Sequence, residues 1–405
     1  MERLRRPLKF KALPSALKIL LIYACLSLAL SLFILLRFWT GSVYVKWINV
    51  ALYFLTYYVL PAAAFFWFYR FLPLLKDPRR RHVAKAYSLA VAASFGYLLM
   101  ILLPVYGLPS LVPDYAFFWM PVPLMVLAYA KRAVKAVWSR KVMVVLLVVA
   151  VLMPNLAAFA GLNGELNAAS SIAGDSGRAS YISQRIRDTE LPTWFMRAHN
   201  DFWKFLMAGS GQCGEMSTAT VSYLYRLGIE ARKVGRPGEN HEFVEVKLHG
   251  SWWVVDPGYY GGDFLSRRER ASKRIEDVGA ISYVAAYVDS SFVELTQEYV
   301  STDAVTIRVL REGEPFADAQ IILTHRFQGN DWSLPPLYTD GNGTATLHLG
   351  ALNFNSNAGE AESFFRIYVN GQSTGRNVTS TGTGILQRVE IDLSGGRVVD
   401  SLSAK

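Results

Sequence analysis

Five long apolar runs within the first 160 residues limit what this chain can fold into more than any other feature. Their interiors contain no Asp, Glu, Lys or Arg, and each reaches or approaches the length that a helix needs to cross a hydrocarbon layer. The runs occupy residues 19–36, 47–69, 86–103, 115–130 and 142–160. The pattern predicts an α-helical transmembrane bundle of five spans over residues 1–160, with the lipid bilayer as a partner.

Basic residues alternate around these runs in a way that predicts an orientation. They cluster before the first run, between the second and third, and between the fourth and fifth, whereas the other two loops hold only Arg37 and Lys46. Loops rich in Lys and Arg stay on the cytoplasmic side. The prediction is a multi-pass protein of the cell membrane, with a cytoplasmic N-terminus and an exterior part after residue 160. The rival interpretation of residues 19–36 is a cleaved signal peptide, but no small-x-small cleavage site follows them.

The basic character of the chain belongs to this first part alone. Residues 1–160 carry 19 Lys and Arg against 3 Asp and Glu, a net charge of +16. Residues 161–405 carry 23 against 29, a net charge of −6. A nucleic-acid partner is therefore not implied. The absence of ionisable side chains inside the runs also weakens a transporter function.

Of the two cysteines, Cys213 has the setting that thiol chemistry requires. It follows the turn-rich run Gly209 to Gln212, and apolar residues at helical spacing continue from it until Gly228. At a helix N-terminus, free backbone N–H groups and the helix dipole favour the thiolate. The sequence therefore predicts a nucleophile with a lowered pKa. Since Cys25 lies in an apolar run, no structural disulfide is expected.

A histidine and an aspartate occupy two alternating runs that predict a β-hairpin. His241 opens the first run, a His-Gly pair separates the two, and Asp256 ends the second. A two-residue turn would pair Leu248 with Ser251, which puts His241 and Asp256 on one face as diagonal neighbours, roughly 7–8 Å apart. An imidazole–carboxylate hydrogen bond can then form. A three-residue turn would place the two side chains on opposite faces.

These residues resemble the transglutaminase-like superfamily, whose members share a papain-like thiol fold. The pattern of Gly-x-Cys, a helix, Gly-Ile-x-x-Arg, a strand-borne His and Trp-x-x-x-Asp-Pro is matched by Gly211/Cys213, Gly228-Ile229/Arg232, His241 and Trp252/Asp256-Pro257. The resemblance implies an α+β domain with Cys213 as the nucleophile, His241 as the base and Asp256 as the residue that orients the base.

The run Cys213-Gly214-Glu215 is also similar to the peptide N-glycanase branch of this superfamily. That branch has a zinc site built from paired cysteines, which a chain with two cysteines cannot form. We therefore expect no metal and no cofactor.

The segments around this motif predict a multidomain chain. Residues 161–191, whose first part is rich in Gly, Ala, Ser and Asn, predict a linker, and residues 192–300 the catalytic domain, which opens with an aromatic amphipathic helix. His199 in that helix is the alternative base, but it lacks a strand-borne Asp. The mixed charges of residues 267–277 predict a solvated helix face, with a membrane-surface or acidic-substrate contact as the alternative.

The C-terminal part changes to an all-β pattern. Residues 301–396 contain alternating runs separated by Gly- and Asn-rich turns, which predicts a β-sandwich, and residues 397–405 form a tail. The segment resembles carboxypeptidase-regulatory or transthyretin-like sandwiches, and this resemblance implies an accessory role. We expect it to fold alone from about Asp303 to Ser394.

The function predicted from the sequence is an extracytoplasmic thiol enzyme that acts on amide bonds of a protein or peptide substrate. The acyl group would pass to water, as in a peptidase or amidase, or to an amine, as in transamidation, and water is favoured. The Cys213 N–H would hold the oxyanion, with Gln212 or an upstream Trp as second donor. The alternative is a non-catalytic surface-binding or assembly module on a membrane anchor. The sequence identifies no membrane partner.

Overall fold

The computed structural model describes residues 15–56, 137–189, 191–192, 202–288, 291–393 and 401–404. The chain divides into two compact units. The first comprises Met1–Glu165, Thr189–Leu191 and Trp203–Ser210, and the second comprises Leu166–Asp188, Pro192–Phe202 and Gly211–Lys405.

The described residues of the first unit are mostly helical. Helix α1 spans Ser15–Thr40, α2 spans Val43–Phe54, α3 spans Val137–Ser170 and leads into the second unit, and α5 spans Phe202–Ala208. The last carbonyls of α5 accept hydrogen bonds from buried side chains of α1 and α2. Arg37 donates to the Leu206 carbonyl, and Asn49 Nδ2 donates to the Met207 and Ala208 carbonyls at 3.1 and 2.7 Å. These donors satisfy carbonyls that a helix end leaves unpaired.

Within the described residues, one helix is long and apolar enough to cross a membrane by length and composition. It is Leu21–Thr40, with 20 residues and a mean hydropathy of 2.2. A signal sequence near the N-terminus would meet the same criterion. The structure thus supports one such helix and not the predicted bundle of five. The runs at 86–103 and 115–130 lie outside the described residues, as does most of the run at 47–69.

The segment predicted to be a linker is mostly helical. Helix α3 continues to Ser170, and α4 spans Asp175–Thr189. The sequence prediction weighed the small residues as loop formers, whereas extending a helix that has already formed carries no nucleation cost. Gly174, with φ +74°, separates the two helices.

Six strands of the described residues form one antiparallel sheet in the second unit, in the order β6-β5-β4-β3-β7-β8. Helix α6, Cys213–Arg226, packs against β3 and β4, and α7, Arg267–Val278, packs against β5 and β6. The strands are β3 Ala231–Arg236, β4 His241–Leu248, β5 Ser251–Val255, β6 Phe264–Leu265, β7 Ala285–Val288 and β8 Ser291–Glu294. Two short strands, β1 Leu191–Pro192 and β2 Ser210–Gly211, lie outside this sheet.

The hairpin of β4 and β5 has the predicted two-residue turn. His249 and Gly250 both have positive φ, +50° and +81°, as the tight turns that match strand twist require. Leu248 pairs with Ser251 and Val244 with Val255. This register carries His241 and Asp256 to one end of the hairpin.

The C-terminal β-region, residues 303–393 with β18, is rich in β-sheet. Its described strands form two five-stranded sheets, one with β10-β9-β17-β18 and β14 on β9, the other with β12-β11-β15-β16 and β13 on β11. The strands are β9 Asp303–Arg311, β10 Glu314–Pro315, β11 Gln320–Phe327, β12 Asn330–Ser333, β13 Leu337–Tyr338, β14 Thr344–Leu349, β15 Phe365–Val369, β16 Gln372–Val378, β17 Leu386–Asp392 and β18 Ser401–Ala404. Alternate apolar residues of both sheets meet in one core.

The segment of β7 joins the two parts of the second unit through its alternation. Tyr283 and Ala285 belong to the core of the C-terminal β-region, whereas Val284 and Ala286 belong to the core under α7. Successive side chains of a strand point to opposite faces, so one strand serves both cores. The boundary predicted near residue 301 therefore divides a continuously packed structure. A C-terminal fragment that begins there would lack Tyr283 and Ala285, which belong to its core. The short helix α8, Thr296–Tyr299, follows β8.

One carboxylate fixes the start of the C-terminal β-region. The five backbone N–H groups of residues 381–385 donate to Asp303 at 2.7–3.1 Å, and the hydroxyl groups of Ser380 and Thr381 add two more bonds. Burial alone would raise the pKa of Asp303, but these hydrogen bonds lower it to about 2.

We expect Asp303→Asn to lower the free energy of unfolding by about 2–4 kcal/mol at neutral pH. The NH₂ group of the asparagine would face backbone N–H groups, and two donors cannot form a hydrogen bond with each other. Since the pKa of Asp303 is depressed, its stabilisation is present above pH ~4 and is lost as the pH falls toward 2. Urea titrations of the purified chain at several pH values measure both effects. Asp318→Asn, at an exposed position with φ +56°, is the matched control and should change stability by less than about 0.5 kcal/mol. Equal midpoints for Asp303→Asn and wild type would contradict the assignment.

Candidate functional site

Helix α6 begins at Cys213, as the sequence predicted. Gln212 precedes it in extended conformation, and its backbone N–H donates to Glu215 Oε2 at 2.9 Å, which closes the first turn. Since this N–H is already bonded, any contribution of Gln212 to an oxyanion would come from its side-chain amide. The backbone N–H of Cys213 lies at the helix start, where N–H groups have no partner within the helix.

The thiol of Cys213 lies beside the start of β4. Its Sγ is 4.0 Å from the carbonyl oxygen of Asn240, the residue directly before His241. Burial raises the pKa of Cys213, the Glu242 backbone N–H opposes this, and the carboxylates of Glu242, Asp256 and Glu215 raise the pKa further. The prediction of a lowered pKa was therefore wrong. It counted the helix terminus but not the burial and the three carboxylates that the fold brings near the thiol.

His241 and Asp256 meet as the hairpin register predicted. The Nε2 of His241 is 2.8 Å from Asp256 Oδ2, and the two side chains are 6% and 1% exposed. Burial lowers the pKa of His241, and this effect outweighs the Asp256 carboxylate, which raises the pKa. The neutral ring then donates Nε2–H to the carboxylate, which leaves the lone pair on Nδ1. The ring of Tyr259 meets the imidazole edge-on, with centroids 4.9 Å apart.

Asp256 has a second partner that the sequence prediction missed. Nη2 of Arg270 donates to the same oxygen, Oδ2, at 2.8 Å, and the Arg270 side chain is 4% exposed. Burial would raise the pKa of Asp256, but His241 and Arg270 together lower it to about 2. The carboxylate therefore stays ionised beside the imidazole.

Helix α7 is not the solvated face that its mixed charges suggested. Three of its arginines each meet a buried carboxylate: Arg267 with Glu245, Arg270 with Asp256 and Arg274 with Glu239. The arginines lie at i, i+3 and i+7, which places them along one stripe of the helix. The buried Ala271 and Val278 follow nearly the same spacing, and this was the available signal in the sequence.

The turn before His241 is held by a buried ionic cluster. Glu239 Oε2 accepts from Arg236 Nη1 and from Arg274 Nε, each at 3.1 Å, and its Oε1 accepts the Ser282 N–H at 3.0 Å. Burial lowers the pKa of Arg236 to about 10. The positive charges of Arg270 and Arg274 also lower this pKa, whereas the Glu239 carboxylate raises it. Asn240 closes the turn in the left-handed region, with φ +48°.

His199, the alternative base, lies outside the described residues. Both cysteines are free thiols. Across the described ranges, no group of three or more His, Cys, Asp or Glu side chains could hold a metal ion.

We expect Arg270→Met to destabilise the protein by about 3–5 kcal/mol, because it leaves the Asp256 charge buried with one partner fewer. Removing this cation should also raise the pKa of Asp256 from about 2. Arg268→Met is the matched control on the same helix. Arg268 is exposed and bonds only main-chain carbonyls, so its loss should cost less than about 1 kcal/mol. Denaturation of both variants measures the difference, and equal losses would show that Arg270 has no special partner.

Residues 171–257 match the family model described as Transglutaminase-like superfamily. The match includes all of α4 and ends just after Asp256, so helix α4 falls within the matched region and not in a linker. No curated protein matches the chain. One similar solved structure is titled "Crystal structure of a TGase", with 12% sequence identity and a TM-score of 0.24. The match covers 50% of this chain and 47% of the solved chain, so this chain spans about half the length of that structure. The segment that contains Cys213, His241 and Asp256 is thus a transglutaminase-like domain.

Proposed function

We propose that this protein is a membrane-anchored, outward-facing thiol enzyme that cleaves or transfers amide bonds of a protein or peptide substrate. The observation that carries the proposal is the buried hydrogen bond between His241 and Asp256, at 2.8 Å. His241 is the first residue of β4, and Asn240, directly before it, contacts the Cys213 thiol through its carbonyl oxygen. A histidine oriented by a carboxylate beside a cysteine at a helix start is the arrangement that thiol acyl transfer uses.

The resting site holds a neutral thiol and a neutral imidazole, because burial raises the pKa of Cys213 and lowers that of His241. During attack on the substrate carbonyl, the thiol proton passes to His241, and Asp256 stabilises the imidazolium that forms. The imidazolium then gives the proton to the leaving amine. The Cys213 backbone N–H, together with the Gln212 side-chain amide, would stabilise the oxyanion.

Water is the acyl acceptor that we favour. Tyr259, whose ring contacts His241, is 54% exposed, so the side chain that separates the imidazole from solvent on that side is a surface one. Hydrolysis of a thioester needs a water molecule at the base, whereas transfer to an amine requires that water be kept away. The domain would therefore act as a cysteine peptidase or amidase, with transamidation as its slower reaction.

Anchoring rests on α1 and on the charge pattern of the sequence. The apolar stretch Leu21–Thr40 is long enough to span a bilayer, and basic residues precede it. We propose a multi-pass protein with a cytoplasmic N-terminus, in which the transglutaminase-like domain and a C-terminal β-sandwich lie outside.

The test of catalysis uses labelled peptide and amide substrates with the full chain. Cys213→Ala should abolish turnover without loss of stability, since it removes one sulfur atom. His241→Ala should reduce turnover strongly. Asp256→Asn should reduce kcat by up to about 10⁴-fold because it favours the wrong imidazole tautomer. If Cys213→Ala retained wild-type turnover, Cys213 would not be the nucleophile. If the wild-type chain processed no amide, the domain would instead be a binding or assembly module.

The pH dependence follows from the directions of the two pKa shifts. Since the pKa of His241 lies below its ordinary 6.5, kcat/KM should fall only at a pH below 6.5, where the base becomes protonated. Since burial raises the pKa of Cys213 above that of an ordinary thiol, iodoacetamide should modify Cys213 at pH 7 more slowly than an ordinary thiol, and faster as the pH rises. Rapid alkylation at pH 7 would indicate a preformed thiolate–imidazolium pair. A Cys25→Ser background removes the other thiol.

Topology is tested with single cysteines at positions 82 and 176 in a chain that lacks Cys25 and Cys213. In intact cells, a membrane-impermeant thiol reagent should modify position 176 and leave position 82 unmodified, because only the former is predicted to lie outside. Lysed cells provide the control in which both positions must react. Modification of position 82 in intact cells would overturn the topology.

A further inference from the structure

A histidine of the C-terminal β-region reaches the segment that precedes the site. His325 lies on β11, is fully buried, and its Nε2 is 2.5 Å from the carbonyl oxygen of Gly238, 87 residues away in the sequence. Because a carbonyl only accepts, His325 donates this hydrogen bond. Burial lowers the pKa of His325, so the ring that donates is neutral.

Aromatic side chains surround this imidazole. The ring of Phe365 lies 4.5 Å from it between centroids, Phe354 lies 5.8 Å away, and Phe327 lies 6.5 Å away. A polar ring in such surroundings is costly unless it forms a hydrogen bond, and the Gly238 carbonyl supplies that acceptor. The hydrogen bond to Gly238 therefore satisfies Nε2 of a fully buried imidazole.

The turn at Pro237–Glu239 is shaped to receive His325. A Cβ atom at Gly238 would lie 2.9 Å from His325 Nε2 and 2.9 Å from Ser282 Oγ, so the approach requires glycine. Glu239 is held at the same time by Arg236 and Arg274. The turn is thus held at Gly238 by His325 of the C-terminal β-region, and at Glu239 by the two arginines of the ionic cluster.

The turn directly precedes two residues of the site along the chain. Asn240, whose carbonyl contacts the Cys213 thiol, and His241 follow Glu239 directly along the chain. A shift of the Gly238 carbonyl therefore moves the main chain of both residues. Catalysis is sensitive to displacements of about 1 Å in such groups.

We propose that His325 is a positioning residue for the thiol site, and that the C-terminal β-region supports the active site instead of serving as a separate accessory module. The proposal rests on the thiol-enzyme function above. Through its hydrogen bond to Gly238, His325 sets the main chain of Asn240 and His241 relative to Cys213. It touches neither the substrate nor the reacting atoms.

The test compares variants of the full chain in the Cys25→Ser background. His325→Leu removes the donor, whereas His325→Gln retains a side-chain N–H near the same place. Leu323→Ala is the matched control, because Leu323 lies on the same buried face of β11, in the core of the C-terminal β-region. Gly238→Ala approaches the same contact from the other side and serves if His325→Leu does not fold.

We expect His325→Leu and Gly238→Ala to lower kcat by about tenfold or more with KM changed by less than about twofold, and His325→Gln to recover most of the loss. The pH profile of Cys213 alkylation should shift in the same two variants. Leu323→Ala should lower the melting temperature and leave both the alkylation profile and kcat near wild type, measured well below the melting transition.

The proposal is overturned if His325→Leu changes kcat and the alkylation profile no more than Leu323→Ala does, or if His325→Gln fails to differ from His325→Leu. The alkylation profile reports the surroundings of Cys213 whether or not an amide is turned over. A wild-type chain without turnover would therefore refute the enzymatic function, while the alkylation comparison would still decide the role of His325.

Discussion

The buried carboxylate of Asp256 is the interaction on which the site depends. A charge in the interior requires partners, and Oδ2 of Asp256 accepts from His241 and Arg270, each at 2.8 Å. These two bonds join the end of β5 to the start of β4 and to the middle of α7. The imidazole is oriented by a carboxylate that is itself held by an arginine, so the geometry at His241 depends on packing of α7 against the sheet.

The same arrangement recurs along α7. Glu245, on the same face of β4 as His241, accepts from Arg232, Arg267 and Tyr299, so it is fully buried with three partners. Glu239 has a comparable set of donors at the other end of the helix. Three carboxylates thus bind one helix to the sheet and to the turn before His241. Because removal of one partner leaves an uncompensated charge, such a network specifies one alignment of α7.

The two halves of the second unit share structure in two ways. The β7 segment contributes alternate residues to two cores, and His325 bonds the turn that leads to His241. A region that was expected to be accessory is therefore packed against the support of the site. The physical reason is that β7 has apolar residues on both of its faces. Each face must be buried against another layer, and the helices bury one face while the C-terminal β-region buries the other.

The sequence by itself determined the features that depend on short-range geometry. Glycines and apolar spacing fixed the start of α6 at Cys213, and the His249-Gly250 turn fixed the register that brings His241 to Asp256. The tertiary structure alone decided which carboxylate each arginine of α7 meets, that His325 contacts Gly238, and that burial raises the pKa of Cys213. Each of these depends on the desolvation and charge supplied by segments distant in the chain, and local periodicity carries no information about such neighbours.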